Sequence, residues 1–164
     1  MNDEPFDPEA HRDAEPRYFD DLKMGERFHI PSRTIGDANF AAFQLASGDN
    51  HPIHYDLEYC RRQGHPEMLA HGLQVLIQTA PGAGQFPHVV GEAMLAYVEQ
   101  SSRCLKPVYR GDTVYPRLEI SALEARRTTG LVTLRATVHN QRGELVLEGE
   151  HKIIIRRRPE EGED

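Results

Sequence analysis

The amino-acid sequence predicts an α+β fold, an antiparallel β-sheet packed against one central helix, and three observations carry that prediction. One strand pattern precedes a helical region and four follow it in succession, an order that suits a segregated sheet and helix rather than alternating β-α units. Leu131, Thr133, Arg135, Thr137 and His139 alternate with Val132, Leu134, Ala136 and Val138, the period of two that marks a strand with one buried face. The stretch from Ala70 through Leu73, Leu76, Ile77 and Ala80 to Pro81 has the composition and length of a buried helix, not of an amphipathic surface one.

The elements follow in order. Arg27 to Ile35, bounded by Gly25 and Gly36, reads as the first strand. Asp37 then caps a short helix carrying Phe40, Phe43 and Leu45. A second short helix starts at Asp56, carries Leu57, Tyr59 and Cys60, and ends before the turn Gln63-Gly64-His65-Pro66. After the buried helix, Gly82 to Gly91 has four glycine or proline residues in ten and reads as a loop with Phe86 and Val89 as apolar contacts. The remaining strands are Ala93 to Leu105, Asp112 to Ala125, Leu131 to Asn140 and Glu144 to Ile155. Thr128-Thr129-Gly130 and Gln141-Arg142-Gly143 read as turns between them.

A chain of 164 residues buries about two-thirds of its unfolded surface, enough for one core. Residues 17–158 are read as a single domain between two tails, 1–16 and 159–164, whose charge, proline content and lack of apolar residues predict mobility. No run approaches the ~18 consecutive apolar residues of a membrane span. The first residues lack the basic stretch and apolar run of a secretory signal, so a cytoplasmic protein is expected. Cys60 and Cys104 are too few for a disulfide framework and are expected as small buried hydrophobes. A net charge of −7 argues against general nucleic-acid binding, and Arg156-Arg157-Arg158 reads as a solubilising strand terminus.

The segment Ser47-Gly48-Asp49-Asn50-His51-Pro52-Ile53-His54 is the strongest chemical signal. Gly48 frees the backbone and Pro52 restrains it, a rigid turn that can aim the Asp49 carboxylate and the His54 imidazole at one point. Such a pair activates water and returns its proton, worth roughly 10²- to 10⁴-fold in rate. The competing reading is that Asp49 and Asn50 only cap a turn. Two further segments bear on it. Ala70-His71-Gly72 opens the buried helix, where first-turn N–H groups lack intrahelical partners and Gly72 admits close approach of a developing oxyanion. Lys106-Pro107-Val108 and Gly111-Asp112-Thr113-Val114 form a turn leading into a strand.

Together these segments resemble the MaoC-like family, which includes the (R)-specific enoyl-CoA hydratases and related dehydratases. The resemblance rests on Ala46-Ser47-Gly48-Asp49, Pro52-Ile53-His54 with Asp56, and Ala70-His71-Gly72, and it covers nearly the whole chain. It implies a single hotdog fold, with the sheet wrapped around the central helix. It also implies that Asp49 and His54 are the catalytic pair holding a water, and that the Gly72 N–H binds the thioester carbonyl. Ser47, His51 and His71 are candidate supports. The family usually has Asn directly before the proline where this chain has His51, which bears on substrate choice and pH optimum. The implied substrate is an acyl-CoA of fatty-acid-type metabolism, with no separate cofactor, and the implied assembly is at least a homodimer. Arg103, Lys106 and Arg110 are candidates for the coenzyme A phosphates, or simply solvated strand ends.

Other readings were weighed. A metal site among His51, His54, His65 and His71 is rejected, because His51-x-x-His54 spans a proline turn, no paired Cys motif accompanies it, and metal would remove His54 from acid/base work. Tyr55 and Tyr97 read as packing residues and His65 as a turn residue. Two rivals to a hydratase are a hotdog thioesterase, which His54 counts against, and a non-catalytic acyl-CoA-binding subunit, which should have lost Asp49, His54 or Gly72.

Overall fold

The computed structural model describes residues 15–159 together with Asp7, Pro8 and His11. Most of the two tails predicted to be mobile lies outside the described residues. From Glu15 onward the chain is tied down: the Arg17 N–H donates to the Val89 carbonyl (2.8 Å), and Pro16 lies against Gly91.

Six strands form one sheet: β1 (Arg27–His29), β2 (Arg33–Thr34), β3 (Met94–Cys104), β4 (Thr113–Ala125), β5 (Thr129–Asn140) and β6 (Leu145–Arg156). Their order is β1-β4-β5-β6-β3, every pair is antiparallel, and β2 pairs with β4 beyond β1. The predicted first strand is therefore two pieces, because Pro31 has no N–H to donate and interrupts the ladder. β5 begins at Thr129, so Gly130 is a strand residue and not a turn residue. A Cβ on Gly130 would come within 2.2 Å of the Phe19 ring, which explains the glycine. Val132, Leu134, Ala136 and Val138 are all fully buried, as their alternation predicted.

Helices α1 (Asp37–Ser47), α2 (Leu57–Arg62), α3 (Gly72–Leu76) and α4 (Phe86–Val90) lie between β2 and β3. Gly36, not Asp37, caps α1: its N–H donates to Asn39 Oδ1 (3.0 Å), while Asp37 is the first helical residue and pairs with Arg110. Phe40 and Phe43 are buried one turn apart, whereas Leu45 falls on the opposite face and is exposed. Asp56 caps α2 as predicted, accepting the Tyr59 N–H (2.9 Å). α4 replaces the predicted loop. Pro87 suits the first turn of a helix, and burial of Phe86 and Val90 outweighs the glycines that bracket them.

The central helix departs most from expectation. α3 is short and runs on as a 3₁₀ turn, Ile77–Thr79. Its buried side chains are Gln74, Val75, Gln78 and Thr79, while Leu73 and Ile77, four residues apart on one face, are 55 and 53 % exposed. Two apolar clusters support the sheet. One joins Phe28, Phe86, Val90, Leu118, Leu134 and Ile153; the other joins Ile35, Phe40, Val75, Val108, Val138 and Leu147 around the helix that leads to the site.

Candidate active site

The site is assembled where the end of α1, the turn after it and the start of α3 meet. Gly48 ends α1 with φ +70°, a conformation that favours glycine, and this turns the chain towards Asp49. Ser47 supports the turn from below: its hydroxyl donates to the Phe43 carbonyl (2.7 Å) and accepts the Asp49 N–H (3.2 Å). Asp49 Oδ1 accepts the His51 N–H (2.9 Å), closing an Asx turn. That amide is the main reason the Asp49 carboxyl lies below the ordinary carboxylate range. Burial opposes the shift, and the imidazoles of His54, His71 and His51 add to it.

Residues 52–54 form a 3₁₀ turn that carries His54 into the interior. His51 precedes it and takes the capping role, its Nδ1 accepting the Ile53 N–H (3.2 Å) as an asparagine oxygen does in such turns. The Ile53 carbonyl accepts the Leu69 N–H (3.1 Å) and the Cys60 thiol (2.9 Å), while His54 Nδ1 donates to the Leu69 carbonyl (2.6 Å). A carbonyl only accepts, so Nδ1 of His54 carries hydrogen and its Nε2 is the nitrogen left for chemistry.

His71 caps α3, accepting the Leu73 N–H at Nδ1 (3.0 Å), and Gln74 Oε1 reaches back to the His71 N–H (3.3 Å). The same imidazole lies against Phe43 and places Nε2 3.0 Å from Asp49 Oδ2. One donor atom each from Asp49, His54 and His71 lies within 4.8 Å of the others. This spacing is also that of a small metal site. The Leu73 N–H, however, occupies the lone pair of His71 Nδ1 and leaves the proton on Nε2, where a metal would need a lone pair, so the donor set does not fit a cation without loss of the helix cap. His65 lies apart, beside the Tyr109 hydroxyl.

Gly72 follows His71, and no side chain or backbone group among the described residues takes its N–H. A Cβ there would meet Cys104 Sγ at 3.0 Å, so the glycine keeps the amide approachable. A cleft of about 390 Å³ opens beside it, lined by Ala70, Gly72, Val75, Cys104, Lys106 and Val108 among others. Cys60 is buried, but Cys104 is exposed: it sits on β3, the end of the sheet, which no further strand covers among the described residues. Of the three predicted phosphate contacts only Lys106 borders this cleft, where it also pairs with Glu144 (2.8 Å). Arg103 lies on Glu148 (2.7 Å), and Arg110 bridges Asp37 and Glu67 (2.9 and 3.1 Å). Tyr55 packs edge-on against Phe40. Burial, and secondarily the charge of Asp49, pushes its hydroxyl up in pKa.

Sequence reasoning missed two contributors. The Leu69 carbonyl, which sets the His54 tautomer, is backbone and leaves no side-chain signal. Phe43 against His71 is legible only through the one-turn spacing of Phe40 and Phe43 on the helix that enters the loop.

An antiparallel sheet around a short helix defines a hotdog-fold protein, and at the start of that helix a carboxylate and two imidazoles come together. A conserved hypothetical protein of Mycobacterium tuberculosis described as having a double hotdog fold superposes with a TM-score of 0.75 at 27% identity, over 91% of this chain and 47% of that one. The chain belongs to the MaoC-like family: the MaoC like domain matches residues 21–141. It is 28% identical over 145 residues to an (R)-specific enoyl-CoA hydratase of Rhodospirillum rubrum, covering 84% of this chain and 91% of that protein. It is also 28% identical over 130 residues to a UPF0336 protein of Streptomyces griseus, covering 77% and 87%. No helix among the described residues is long and apolar enough to cross a membrane.

Proposed function

We propose that this protein catalyses the reversible hydration of a 2-enoyl-CoA, or a related acyl thioester, to the (R)-3-hydroxyacyl thioester. The observation that carries the proposal is the placement of the Asp49 carboxylate and the His54 imidazole within 4.8 Å of each other on a backbone-braced turn. One water held at ~2.8 Å from each spans that gap. The thioester carbonyl is bound by the Gly72 N–H in the adjoining cleft, which polarises the conjugated double bond and stabilises the enolate. The water oxygen bonds to C3 as its proton passes to His54 Nε2, and the π electrons move onto the carbonyl oxygen. The enolate then collapses as C2 takes the proton back, so that one water supplies both groups and the imidazole ends as it began. Asp49, held ionised by the His51 N–H, keeps the second hydrogen of the water. The reaction needs no cofactor beyond the coenzyme A that the substrate carries.

The proposal includes a homodimer in the cytoplasm. Leu73 on α3, Ile77 on the 3₁₀ turn that follows it, and Leu95, Tyr97 and Val98 on β3 are each exposed, and β3 pairs only with β6 among the described residues. A second copy laid on this edge covers the apolar face and closes the cleft. The unpaired Cys60 and Cys104 suit a reducing compartment.

The test is loss of enoyl-thioester absorbance with crotonyl-CoA and with a mesaconyl-type dicarboxylic thioester, for wild type and Asp49→Asn. Turnover by wild type alone, with ligand affinity little changed in the variant, supports a hydratase and reports the acyl class. Release of free thiol without absorbance loss would replace the hydratase with a thioesterase.

A further inference from the structure

Three imidazoles surround Asp49, and the backbone holds their ring nitrogens in two opposite senses. His54 Nδ1 faces a carbonyl, that of Leu69, and must donate. His51 Nδ1 and His71 Nδ1 face amides, those of Ile53 and Leu73, and must accept. An uncharged ring that accepts at Nδ1 carries its hydrogen on Nε2. His71 Nε2 lies 3.0 Å from Asp49 Oδ2, so the ring sets its hydrogen-bearing nitrogen beside the carboxylate.

Charging the two rings has different consequences. A proton added to His54 goes to Nε2, where no backbone group opposes it. A proton added to His71 must go to Nδ1, directly against the Leu73 N–H, and breaks the cap of α3. His71 is also packed on the Phe43 ring (centroids 5.1 Å apart), which fixes its plane. The titratable groups near it are Asp49, His54 at a ring distance of 5.1 Å, His51 and Tyr55 beyond them, and Cys104 beside Gly72.

We propose that His71 is the positioning residue of this site: an imidazole whose tautomer is pinned by the Leu73 amide and that aims Asp49 by setting its Nε2–H beside Oδ2, 3.0 Å away. The inference rests on the hydratase reading of the same site and deepens it. Asp49 then has Oδ1 anchored by the His51 N–H and Oδ2 set against the His71 ring, and turns its remaining lone pairs to the water. His71 thereby joins the helix that presents Gly72 to the loop that presents Asp49, so that the oxyanion donor and the carboxylate keep one fixed separation.

The two nitrogens of His71 have separate side-chain mimics, and this allows a crossed test. Asn places its amide near the position of Nδ1 and caps helices well, but falls short of Asp49; Gln reaches the position of Nε2 but caps poorly. His71→Asn is expected to fold with an unchanged melting temperature, lose about 10²-fold in kcat with little change in KM, and move the acid limb of the kcat/KM profile to higher pH as Asp49 loses the N–H beside it. His71→Gln is expected to melt lower yet keep most of kcat and the wild-type acid limb. The reverse pattern, with Asn active and Gln inactive, makes His71 a cap alone and overturns the inference. A readout independent of turnover is ¹⁵N NMR of the histidine rings in the wild-type protein. His71 should show the Nε2–H tautomer and His54 the Nδ1–H tautomer. A His71 that carries its hydrogen on Nδ1 refutes the positioning role even if no enoyl thioester proves to be a substrate.

Discussion

The two sides of the sheet obey opposite rules. On the side of β1, β4 and β5, large apolar residues are sealed: Phe28 meets Phe86 edge-on, with ring centroids 5.0 Å apart, and Leu118, Leu134 and Ile153 close around them. Of the polar groups buried there, the Thr137 hydroxyl on β5 has no partner, whereas the charged Asp112 is satisfied. Asp112, 6 % exposed, accepts from the Tyr109 N–H (2.9 Å), Gln141 and Arg142 (3.2 Å). On the side of β3 and α3 the polarity is inverted. Leu73, Ile77, Leu95 and Val98 face outward, whereas Gln74 and Gln78 are buried with Gln74 Nε2 and Gln78 Oε1 unpartnered. His151 is buried there too, bonded to Thr79 and to the hydroxyl of half-exposed Tyr97. Unpartnered polar atoms and exposed apolar residues gather where something else is to bind, and here Gln74 and Leu73 stand on the helix that His71 caps.

The contrast can be broken most strongly on the sealed side. Phe86→Ala leaves a cavity in the larger cluster and is expected to lower unfolding free energy by about 3–5 kcal/mol in a urea titration. The specific activity of the folded fraction should remain within about twofold, because Phe86 belongs to the apolar cluster that includes none of the candidate site residues. A collapse of activity in the folded fraction would show that the two sides are mechanically coupled.

Acid tests the satisfied polar groups. Burial pushes the Asp112 carboxyl up in pKa, but its hydrogen bonds from Tyr109, Gln141 and Arg142 outweigh this and hold it below the ordinary range. Asn140, Lys106 and Arg142 hold Glu144 down to about 2. A carboxyl with a lowered folded pKa contributes stability above its ordinary range and loses it as pH falls through the folded value. The wild type should therefore lose stability below about pH 4.5 and continue to do so towards pH 2. Asp112→Asn is expected to cost about 1–3 kcal/mol at neutral pH and to flatten that acid limb, measured as melting temperature against pH. An unchanged limb would place the acid sensitivity elsewhere.

On the open side the expected effects on stability are smaller and the readout changes. Leu73→Asp with Ile77→Asp should shift unfolding free energy by only about 0.5 kcal/mol per protomer, because both side chains are already exposed. The same pair should convert a dimer to a monomer in sedimentation equilibrium and abolish turnover if a second copy closes the cleft. A variant that still dimerises would put the interface on another face. Smallest is Gln78→Met. Gln78 Nε2 donates to the Gln74 carbonyl (2.9 Å) while its oxygen has no partner, so an apolar side chain of similar length should leave stability within about 1 kcal/mol. A larger loss, appearing only at dimer concentrations, would show that assembly supplies the missing partner.

Much of the fold was legible because local rules and tertiary packing agree. The β5 alternation, the Gln141-Arg142-Gly143 turn, whose Gly143 has φ +74°, and the Asp56 cap all follow from a few neighbouring residues. The site was legible as far as Ser47, Asp49, His54, His71 and Gly72 form two short segments with turn chemistry of their own. The 82–91 segment and Cys104 were misread where a local pattern lost to position: the burial of Phe86 and Val90, and the open end of the sheet.

By itself the sequence determined the class of fold, the strand order along the chain and the residue types that chemistry needs, since periodicity, breakers and caps act over a few residues. Only the tertiary structure decided which way each group faces. The apolar stretch 70–81 contained the right helix, but folding turned its glutamines inward and its Leu73 and Ile77 outward. Nothing in the order of letters says that Leu69 offers a carbonyl to His54 while Leu73 offers an amide to His71. Those directions come from long-range backbone bonds, Ile53 to Leu69 and Ala70 to Val108, which set two distant segments face to face and assign each imidazole its proton.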